Sequence, residues 1–239
     1  QRSMTAIRAR VAALAWPRIA RELDERGFAA TGVVLAGEEC ERLIALYSER
    51  ERFRSQVVME RLGYGLGEYK YFASPLPPEV RELRTALYQK LAPIANQWSS
   101  ALGDSSSFPA SLAGYLELCH AAGQNRPTPL LLRYEAGGFN CLHQDLYGEL
   151  AFPLQFTCVL SQRGRDFYGG ELLFVEQRPR AQSRGSALAL ERGEGVIFAN
   201  RYRPVVGKRG PYRVNMRHGV SLLTTGVRYS LGVIFHDAR

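Results

Sequence analysis

The fold is decided by the stretch RVNMRHGVSLLTTGVRYSLGVIFH at residues 213–236. Within it, apolar and polar residues alternate over 213–221 and again over 228–236, and Gly226 lies between the two runs. Such alternation is typical of a β-strand that buries one of its faces, and glycine is typical of the turn between strands. We therefore predict two successive strands, Arg213–Ser221 and Arg228–His236.

Short runs of the same character continue upstream as far as residue 127. They are separated by turns that contain glycine, such as Gly137-Gly138 and Gly169-Gly170. The further predicted strands are Pro129–Glu135, Phe152–Ser161, Glu171–Glu176, Ser186–Leu190 and Gly195–Asn200. Many short strands at even spacing are typical of an all-β sandwich or a jelly-roll barrel. Residues 127–239 are therefore predicted to form a β core.

The chain before residue 127 has a helical pattern instead. Apolar residues recur at helical spacing in the runs Thr5–Glu25, Glu38–Phe53, Pro78–Leu102 and Pro109–Ala122. The segment 63–72 is rich in glycine and aromatic residues and has no clear period, so we interpret it as a loop or a hairpin. We predict an α+β fold in which residues 1–126 form a mainly helical region, packed on the β core as part of the same domain.

Two histidines and one carboxylate are placed so that they can bind one metal ion. His143 and Asp145 are two residues apart, and side chains at positions i and i+2 of an extended chain point to the same face. His218 follows on another predicted strand. This ligand set is the facial triad of non-haem iron(II) oxygenases, which leaves coordination positions open for oxygen and a co-substrate. We predict that these three residues bind the metal and form the catalytic centre.

An arginine and a serine follow the second histidine at a useful spacing. Arg228 lies ten residues after His218, and Ser230 lies two residues after Arg228. Alternation places both side chains on one face of the predicted strand, with Tyr229 and Leu231 on the other. A guanidinium and a hydroxyl on one face can together bind a carboxylate, so we predict that this pair binds a co-substrate acid.

The H-x-D motif, the distant histidine and the R-x-S motif resemble the iron(II)/2-oxoglutarate dioxygenase superfamily. The resemblance covers residues 129–237. It implies a double-stranded β-helix, iron(II), 2-oxoglutarate as co-substrate and O2, with oxidation of a substrate C–H bond and formation of succinate. The Gly169-Gly170-Glu171-Leu172 turn resembles the turn of the prolyl-hydroxylase-like branch.

A narrower resemblance links Arg133-Tyr134-x-x-Gly137 and Leu142-His143-Gln144-Asp145 to AlkB-type nucleic-acid dealkylases. In those enzymes the tyrosine of this segment hydrogen-bonds 2-oxoglutarate, so the resemblance implies a co-substrate role for Tyr134. Two positions depart from the AlkB-type pattern: Leu132 stands in place of an asparagine, and Ile234 stands in place of a second arginine. The resemblance alone therefore does not assign a methylated base as the substrate.

The net charge of +8 is concentrated in one segment. Residues 178–217 contain ten basic and two acidic residues, so the rest of the chain is balanced. Such a cluster suggests a polyanionic partner, because lysine and arginine neutralise phosphates. We predict that the chain binds DNA and acts in the repair of alkylation or crosslink damage. The predicted nucleic-acid contacts are Arg201, Arg203, Lys208, Arg209 and Arg213.

Segment 63–72 has two interpretations. Its aromatic side chains could flank a flipped base or form a lid, or they could belong to an ordinary packed loop. The residues in question are Tyr64, Tyr69, Tyr71 and Phe72.

Two other functions fit the same residues. The prolyl-hydroxylase-like turn favours a hydroxylase of a protein side chain or a small metabolite, in which the arginines would bind a carboxylate. A nucleic-acid-binding protein with a vestigial oxygenase core is the third hypothesis. The intact triad and Arg228 argue against this last one.

Several classes of protein are disfavoured. No run approaches the roughly 20 apolar residues of a membrane span, and the alanine-rich N-terminal run is interrupted by charges and proline, unlike a signal peptide. The chain contains no CxxC pair, which is typical of free thiols in a reducing compartment and unlike a zinc site. We therefore expect a cytoplasmic monomer without membrane contact. The four cysteines are Cys40, Cys119, Cys141 and Cys158.

The two remaining histidines lie outside the proposed triad. His120, beside Cys119 in a helical run, is expected to be structural. His236 and Asp237 end the last predicted strand, and both are expected to lie at the surface.

Overall fold

This computed structural model describes residues 2–145 and 147–239. The α-helices are α1 (Arg2–Ala12), α2 (Trp16–Arg26), α3 (Gly37–Ala45), α4 (Pro78–Leu102) and α5 (Leu112–Ala121). The first strands are β1 (Phe28–Val33), β2 (Phe53–Val58), β3 (Gly65–Leu66), β4 (Glu68–Phe72), β5 (Leu130–Glu135), β6 (Phe139–His143) and β7 (Leu154–Val159). The others are β8 (Phe167–Gly169), β9 (Leu172–Gln177), β10 (Arg184–Leu188), β11 (Glu194–Ala199), β12 (Tyr202–Gly207), β13 (Gly210–Val220) and β14 (Leu223–Val233). None of the described helices is long and apolar enough to cross a membrane.

The strands form two antiparallel sheets that face each other. The larger sheet has the order β1-β11-β7-β14-β5-β4-β2, with β8 paired to β14. The smaller sheet has the order β10-β9-β13-β6-β3, with β12 paired to β13. Between the sheets, Phe28 of β1 stacks on Phe174 of β9 with ring centroids 4.5 Å apart. Side chains that point inward from β6, β13 and β14 therefore meet in the same interior space.

The helices cover the outer face of the larger sheet. On β14, Leu231 and Val233 belong to the same buried cluster as Leu83 and Leu87 of α4. Each fully buried aliphatic side chain of this kind contributes about 1.5–3 kcal/mol by leaving water. Ser230, on the opposite face of β14, lines the space between the sheets. The predicted alternation along this strand is confirmed.

Two of the predicted helical runs are interrupted. The run Thr5–Glu25 forms two helices, α1 and α2, and Pro17 lies in the first turn of α2. Proline is favoured there because the first N–H groups of a helix have no partner within it. The run Glu38–Phe53 is helical only as far as Ala45 and continues as two short 3₁₀ turns. The run Pro78–Leu102 is confirmed with its full length.

The N-terminal region also contributes strands that the helical pattern did not predict. β1 pairs with β11 at one edge of the larger sheet, and β4 and β2 continue the sheet beyond β5 at the other edge. The sequence of β1, FAATGV, has little alternation. Its extended form depends on backbone pairing with a strand more than 160 residues away, from Phe28↔Phe198 to Val33↔Glu194. Residues 1–126 thus supply helices and also strands, with β1, β2 and β4 in the larger sheet and β3 in the smaller one.

Candidate metal and co-substrate site

The three predicted metal ligands meet at one point between the sheets. His143, the last residue of β6, lies directly opposite His218 of β13 in the strand register. Asp145 follows β6 and reaches both imidazoles: its Oδ1 is 3.5 Å from Nε2 of His143, and its Oδ2 is 3.2 Å from Nε2 of His218. One ligand atom from each of the three residues lies within 4.8 Å of the others. This spacing allows all three atoms to bind one metal ion.

The protonation states of this cluster suit metal binding. His143 Nδ1 lies 2.8 Å from the carbonyl of Cys141, so the bond is made with a protonated Nδ1, which leaves Nε2 as the free ligand atom. Burial lowers the pKa of His218, which favours the neutral imidazole. Burial would raise the pKa of Asp145, but its hydrogen bond with His218 and the nearby imidazoles bring it well below its usual range.

Further side chains hold the Asp145 carboxylate in place. Gln155 of β7 donates to its Oδ2 at 2.8 Å, and the hydroxyl of Tyr147 donates to its Oδ1 at 3.0 Å. Tyr71 of β4 in turn donates to the Tyr147 hydroxyl at 2.8 Å. Such outer contacts orient a ligand before the metal arrives. Sequence patterns did not identify Gln155 or Tyr147, because neither belongs to a motif.

Gln144, the central residue of the H-x-D motif, connects the motif to β13 through hydrogen bonds. Its side-chain amide donates to Asn215 Oδ1 at 2.6 Å and to the carbonyl of Met216 at 2.8 Å. The backbone N–H of Asp145 donates to Asn200 Oδ1 at 3.1 Å. Because β13 also carries His218, these bonds set the position of both halves of the cluster relative to each other.

The predicted co-substrate residues are also adjacent. Arg228 of β14 lies opposite Tyr134 of β5 in the strand register, and its Nη1 donates to Ser230 Oγ at 3.3 Å. Arg228 is only 1% exposed, yet its Nε and Nη2 have no hydrogen-bond partner, and neither does the buried hydroxyl of Tyr134. An uncompensated buried guanidinium is costly. These unpaired donors fit a carboxylate.

The Gly169-Gly170 turn supports the side chain of Arg228. A Cβ atom on Gly170 would lie 3.0 Å from Cδ of Arg228 and 2.8 Å from Leu223. A Cβ atom on Gly169 would lie 2.3 Å from the carbonyl oxygen of Leu222. Both glycines also have positive φ angles, 76° and 62°. The turn is therefore needed to bring the backbone close to the stem of Arg228, whatever the substrate.

A cavity of about 400 Å³ joins the metal cluster to solvent. Its lining includes the buried residues Ser230 and Gln155 and the aromatic side chains of Tyr64, Tyr69 and Tyr147, of which Tyr64 is exposed. The described lining residues include no lysine or arginine.

Residues 67–238 match the Oxygenase-NA family, which is described as an oxygenase catalysing oxidative methylation of damaged DNA. The chain belongs to this family. Two uncharacterized proteins of Mycobacterium tuberculosis, from strains CDC 1551 / Oshkosh and ATCC 25618 / H37Rv, are each 52% identical to it over 167 residues. The aligned region covers 70% of this chain and 72% of each relative.

Solved structures of 2-oxoglutarate oxygenases have a similar fold. A prolyl-4-hydroxylase of Pseudomonas putida has a TM-score of 0.53 and 14% identity, covering 94% of this chain and 99% of its own. An oxidoreductase of the 2OG-Fe(II) oxygenase family from Burkholderia pseudomallei has a TM-score of 0.53 and 16% identity, covering 94% and 93%. The predicted α+β fold with a double-stranded β-helix core is confirmed. With the family match and the His-Asp-His cluster, the chain is a 2-oxoglutarate-Fe(II) oxygenase, which implies iron(II) and 2-oxoglutarate.

In this oxygenase, segment 63–72 forms strands β3 and β4 rather than a simple loop. Tyr64 is 48% exposed at the cavity mouth, and Tyr69 lines the cavity. Tyr71 is buried and bonded to Tyr147. Phe72 is completely buried and stacks on Phe53 with centroids 4.9 Å apart. The interpretation that Phe72 flanks a substrate is therefore wrong, because the ring belongs to the core.

One predicted nucleic-acid contact is buried. Arg203 is 1% exposed, donates to Glu176 Oε2 and to the carbonyl of Asp24, both at 2.7 Å, and so cannot meet a phosphate. Its inclusion among the contacts is wrong, because β12 turns this side chain inward. Arg201, Lys208 and Arg209 are exposed, and Arg213 is exposed with a salt bridge to Asp104.

The prediction that His236 and Asp237 lie at the surface is also wrong. His236 is 1% exposed and its Nδ1 accepts the N–H of Phe152. Burial, with a smaller contribution from Arg84, lowers the pKa of His236 to about 4. Asp237 forms a buried salt bridge with Arg84 at 2.9 Å and meets His120 Nε2 at 2.9 Å. The C-terminus is thus part of the core, held by a charged network on α4 and α5.

Proposed function

We propose that this oxygenase oxidises alkylated DNA. His143, Asp145 and His218 would hold iron(II), and Arg228, Ser230 and Tyr134 would hold 2-oxoglutarate. The observation that carries the proposal is the contrast between a tyrosine-lined cavity, whose described lining contains no lysine or arginine, and a group of basic residues outside it. A nucleotide in DNA has two matching parts: a planar base, which would enter the cavity, and an anionic backbone, which would lie on the basic residues. The description of the family, an oxygenase acting on damaged DNA, supports it.

The basic residues outside the cavity gather at one end of the smaller sheet. Gln177 of β9 and Tyr202 of β12 both lie opposite Asn215 of β13, one on each side of it. The β9–β10 turn and the β12–β13 turn therefore extend in the same direction, away from the metal cluster. We define the basic end as the side chains of these two turns: Arg178, Arg180, Arg184, Lys208, Arg209 and Arg213.

Ion pairs leave the basic end with an excess of positive charge. Arg178 and Arg184 share the Glu176 carboxylate with the buried Arg203. Within the described residues, Arg180, Lys208 and Arg209 have no carboxylate partner. Several cations on adjacent turns attract a phosphate backbone over a longer range than any one of them.

The proposed roles follow from what the side chains do. Iron(II), 2-oxoglutarate and O2 would supply the oxidant that attacks a substrate C–H bond. Gln155 and Tyr147 orient Asp145, and the tyrosines of the outer cavity offer π faces to a base. Oxidation of the alkyl carbon attached to a base nitrogen gives an unstable hydroxyalkyl group, which would leave as an aldehyde and restore the N–H of the base.

The length of DNA required gives a direct test. His218 lies eight residues from Gly210, and a strand rises about 3.3 Å per residue, so the β12–β13 turn is at most roughly 26 Å from the cluster. At about 3.4 Å per nucleotide step this distance spans about eight nucleotides. We expect succinate formation with alkylated oligonucleotides to increase with length until about eight nucleotides flank the modified base, and then to level off.

Charge reversal distinguishes this explanation from a simple length effect. In the variant Arg180→Glu/Lys208→Glu/Arg209→Glu the preference for long oligonucleotides should disappear, whereas a short oligonucleotide should react as before. The exposed pair Arg81→Glu/Lys90→Glu on α4 is the control, and it should keep the preference. If no alkylated DNA of any length stimulates succinate formation, the proposal is wrong.

The alternative substrates lack a specific structural observation in their favour. The Gly169-Gly170 turn, which suggested a prolyl-hydroxylase-like enzyme, supports Arg228 and would serve any co-substrate site of this type. A small acidic metabolite would need a cation at the outer cavity, where the described residues offer none. Peptides and amino acids therefore belong in the same assay as negative controls.

A further inference from the structure

A β-bulge in β6 turns an additional polar residue toward the cavity. Across the β6–β13 pair, His143 lies opposite His218 and Asn140 lies opposite Val220. The two positions are two residues apart on β13 but three apart on β6, so β6 contains one extra residue. In a regular strand Asn140 and His143 would face opposite sides. The bulge brings both to the interior, and bulges next to active sites commonly redirect a side chain in this way.

Asn140 lines the same cavity as Ser230, one of the three proposed co-substrate residues. Burial raises the pKa of the Tyr134 hydroxyl to about 12, and the charge of Arg228 and, after it, the side chain of Asn140 offset part of this rise. Tyr134 is also near Arg228, whose guanidinium carbon lies 5.8 Å from the centre of its ring. A ligand bound by Arg228 and Tyr134 would therefore lie within reach of Asn140.

Neighbouring backbone holds Asn140 firmly. A Cβ atom on Gly65 of β3 would lie 3.1 Å from the Cα of Asn140, and one on Gly219 of β13 would lie 2.6 Å from its carbonyl oxygen. The strands on both sides thus approach its backbone more closely than any other residue type would allow. Gly67 packs in the same way on the ring of Tyr134, at 2.7 Å. This crowding fixes the backbone of Asn140 between its two neighbouring strands.

We propose that Asn140 is a further 2-oxoglutarate-binding residue, whose amide donates a hydrogen bond to the co-substrate beside the Tyr134 hydroxyl. The inference rests on the proposed co-substrate site of Arg228, Ser230 and Tyr134. A dicarboxylate has more acceptor lone pairs than one guanidinium and two hydroxyls can satisfy, and the amide supplies a neutral donor among them. The dicarboxylate explains why a polar side chain is turned inward among the apolar neighbours Leu132, Leu172 and Val220.

The test measures binding of 2-oxoglutarate without turnover. Protein loaded with Mn²⁺, which replaces iron(II), is titrated with 2-oxoglutarate in a calorimeter. Asn140→Ala should weaken binding about tenfold, as expected for a hydrogen bond to a charged group. Asn140→Asp, which keeps the shape but adds a negative charge, should weaken it more. Gln56→Ala removes an exposed side-chain amide on β2 and should bind normally, and Mn²⁺ affinity should be the same in all variants.

A double-mutant comparison separates direct binding from support of Tyr134. Asn140→Ala should still weaken 2-oxoglutarate binding in a Tyr134→Phe background. If the effect disappears there, or if both Asn140 variants bind as well as the wild type, the inference is overturned. Arg228→Ala is measured in parallel. If that variant also binds normally, the co-substrate site itself is wrong, and this result is distinct from failure of Asn140 alone.

Discussion

The two ends of β13 carry different kinds of chemistry. Near its C-terminal end His218 is buried and faces His143, with hydrogen-bonded side chains around the cluster. At its N-terminal end the Lys208-Arg209 turn is exposed, and within the described residues it has no carboxylate partner. Burial makes each polar contact strong and sensitive to position. Solvent screens each exposed cation, so the attraction of this turn for an anion depends on how many cations it carries. One strand therefore connects a site that depends on geometry with a surface that depends on total charge.

Removing a proposed metal ligand should have the largest effect. We expect His143→Ala or Asp145→Ala to abolish succinate formation, because two protein ligands would no longer hold the metal in an open facial site. Metal titration and the thermal unfolding curve are measured on the same samples. Glu149→Ala removes an exposed carboxylate close in sequence and is the matched control. Full activity in either ligand variant would contradict the assignment.

Removing Arg228 should weaken 2-oxoglutarate binding on the order of a hundredfold, because a desolvated charge-assisted contact is lost. Metal affinity should change little, since Arg228 is not a proposed ligand. The measurement is the 2-oxoglutarate concentration that gives half-maximal succinate formation. Arg133→Ala is the control, since Arg133 is adjacent to Tyr134 but forms salt bridges with Glu68 and Glu135. An unchanged requirement in Arg228→Ala would mean that another residue binds the far carboxylate.

Two glycine variants test how strongly 2-oxoglutarate binding depends on the packing around Arg228. Gly170→Ala would place a methyl group against the stem of Arg228, whereas a Cβ atom on Gly164, at a similar φ of 80°, would meet nothing within 4 Å. Overpacking costs about 1–3 kcal/mol, so we expect Gly170→Ala to weaken 2-oxoglutarate binding about tenfold. Gly164→Ala carries the same backbone strain and should bind normally. Equal loss in both variants would attribute the effect to backbone strain alone.

The smallest effect is expected at the exposed end. Lys208→Ala/Arg209→Ala should reduce the slope of log DNA affinity against log salt by about 1.8 if both side chains neutralise phosphates of duplex DNA. Arg203→Ala removes a cation of the same segment, but this one is buried against Glu176. We expect it to lower the free energy of unfolding by about 3–5 kcal/mol and to leave the salt slope unchanged. If Arg203→Ala reduced the salt slope as much as Lys208→Ala/Arg209→Ala does, the proposed difference between buried and exposed cations would be wrong.

The periodicity of the sequence was sufficient to predict many of the side chains that form the site. His143 and Asp145 are two residues apart, and Arg228 and Ser230 lie on one face of β14, so local alternation predicts which side chains point inward. The structure brings His143, Asp145 and His218 together as this pattern indicated. Their roles as ligands remain predictions. The helix Pro78–Leu102 was likewise predictable, because its apolar period and its first-turn proline are local features.

Other features depend on partners that are distant in the chain. β1 is extended because β11 pairs with it, and Asn140 faces the cavity because β6 contains a bulge relative to β13. Arg203 is buried because β12 turns it toward Glu176, although its sequence neighbours Arg201 and Lys208 are exposed. Alternation and composition report only what a residue and its near neighbours prefer. Register, bulges and buried ion pairs arise when separate segments meet, and so the tertiary structure alone decided which of the basic residues are exposed and which are buried.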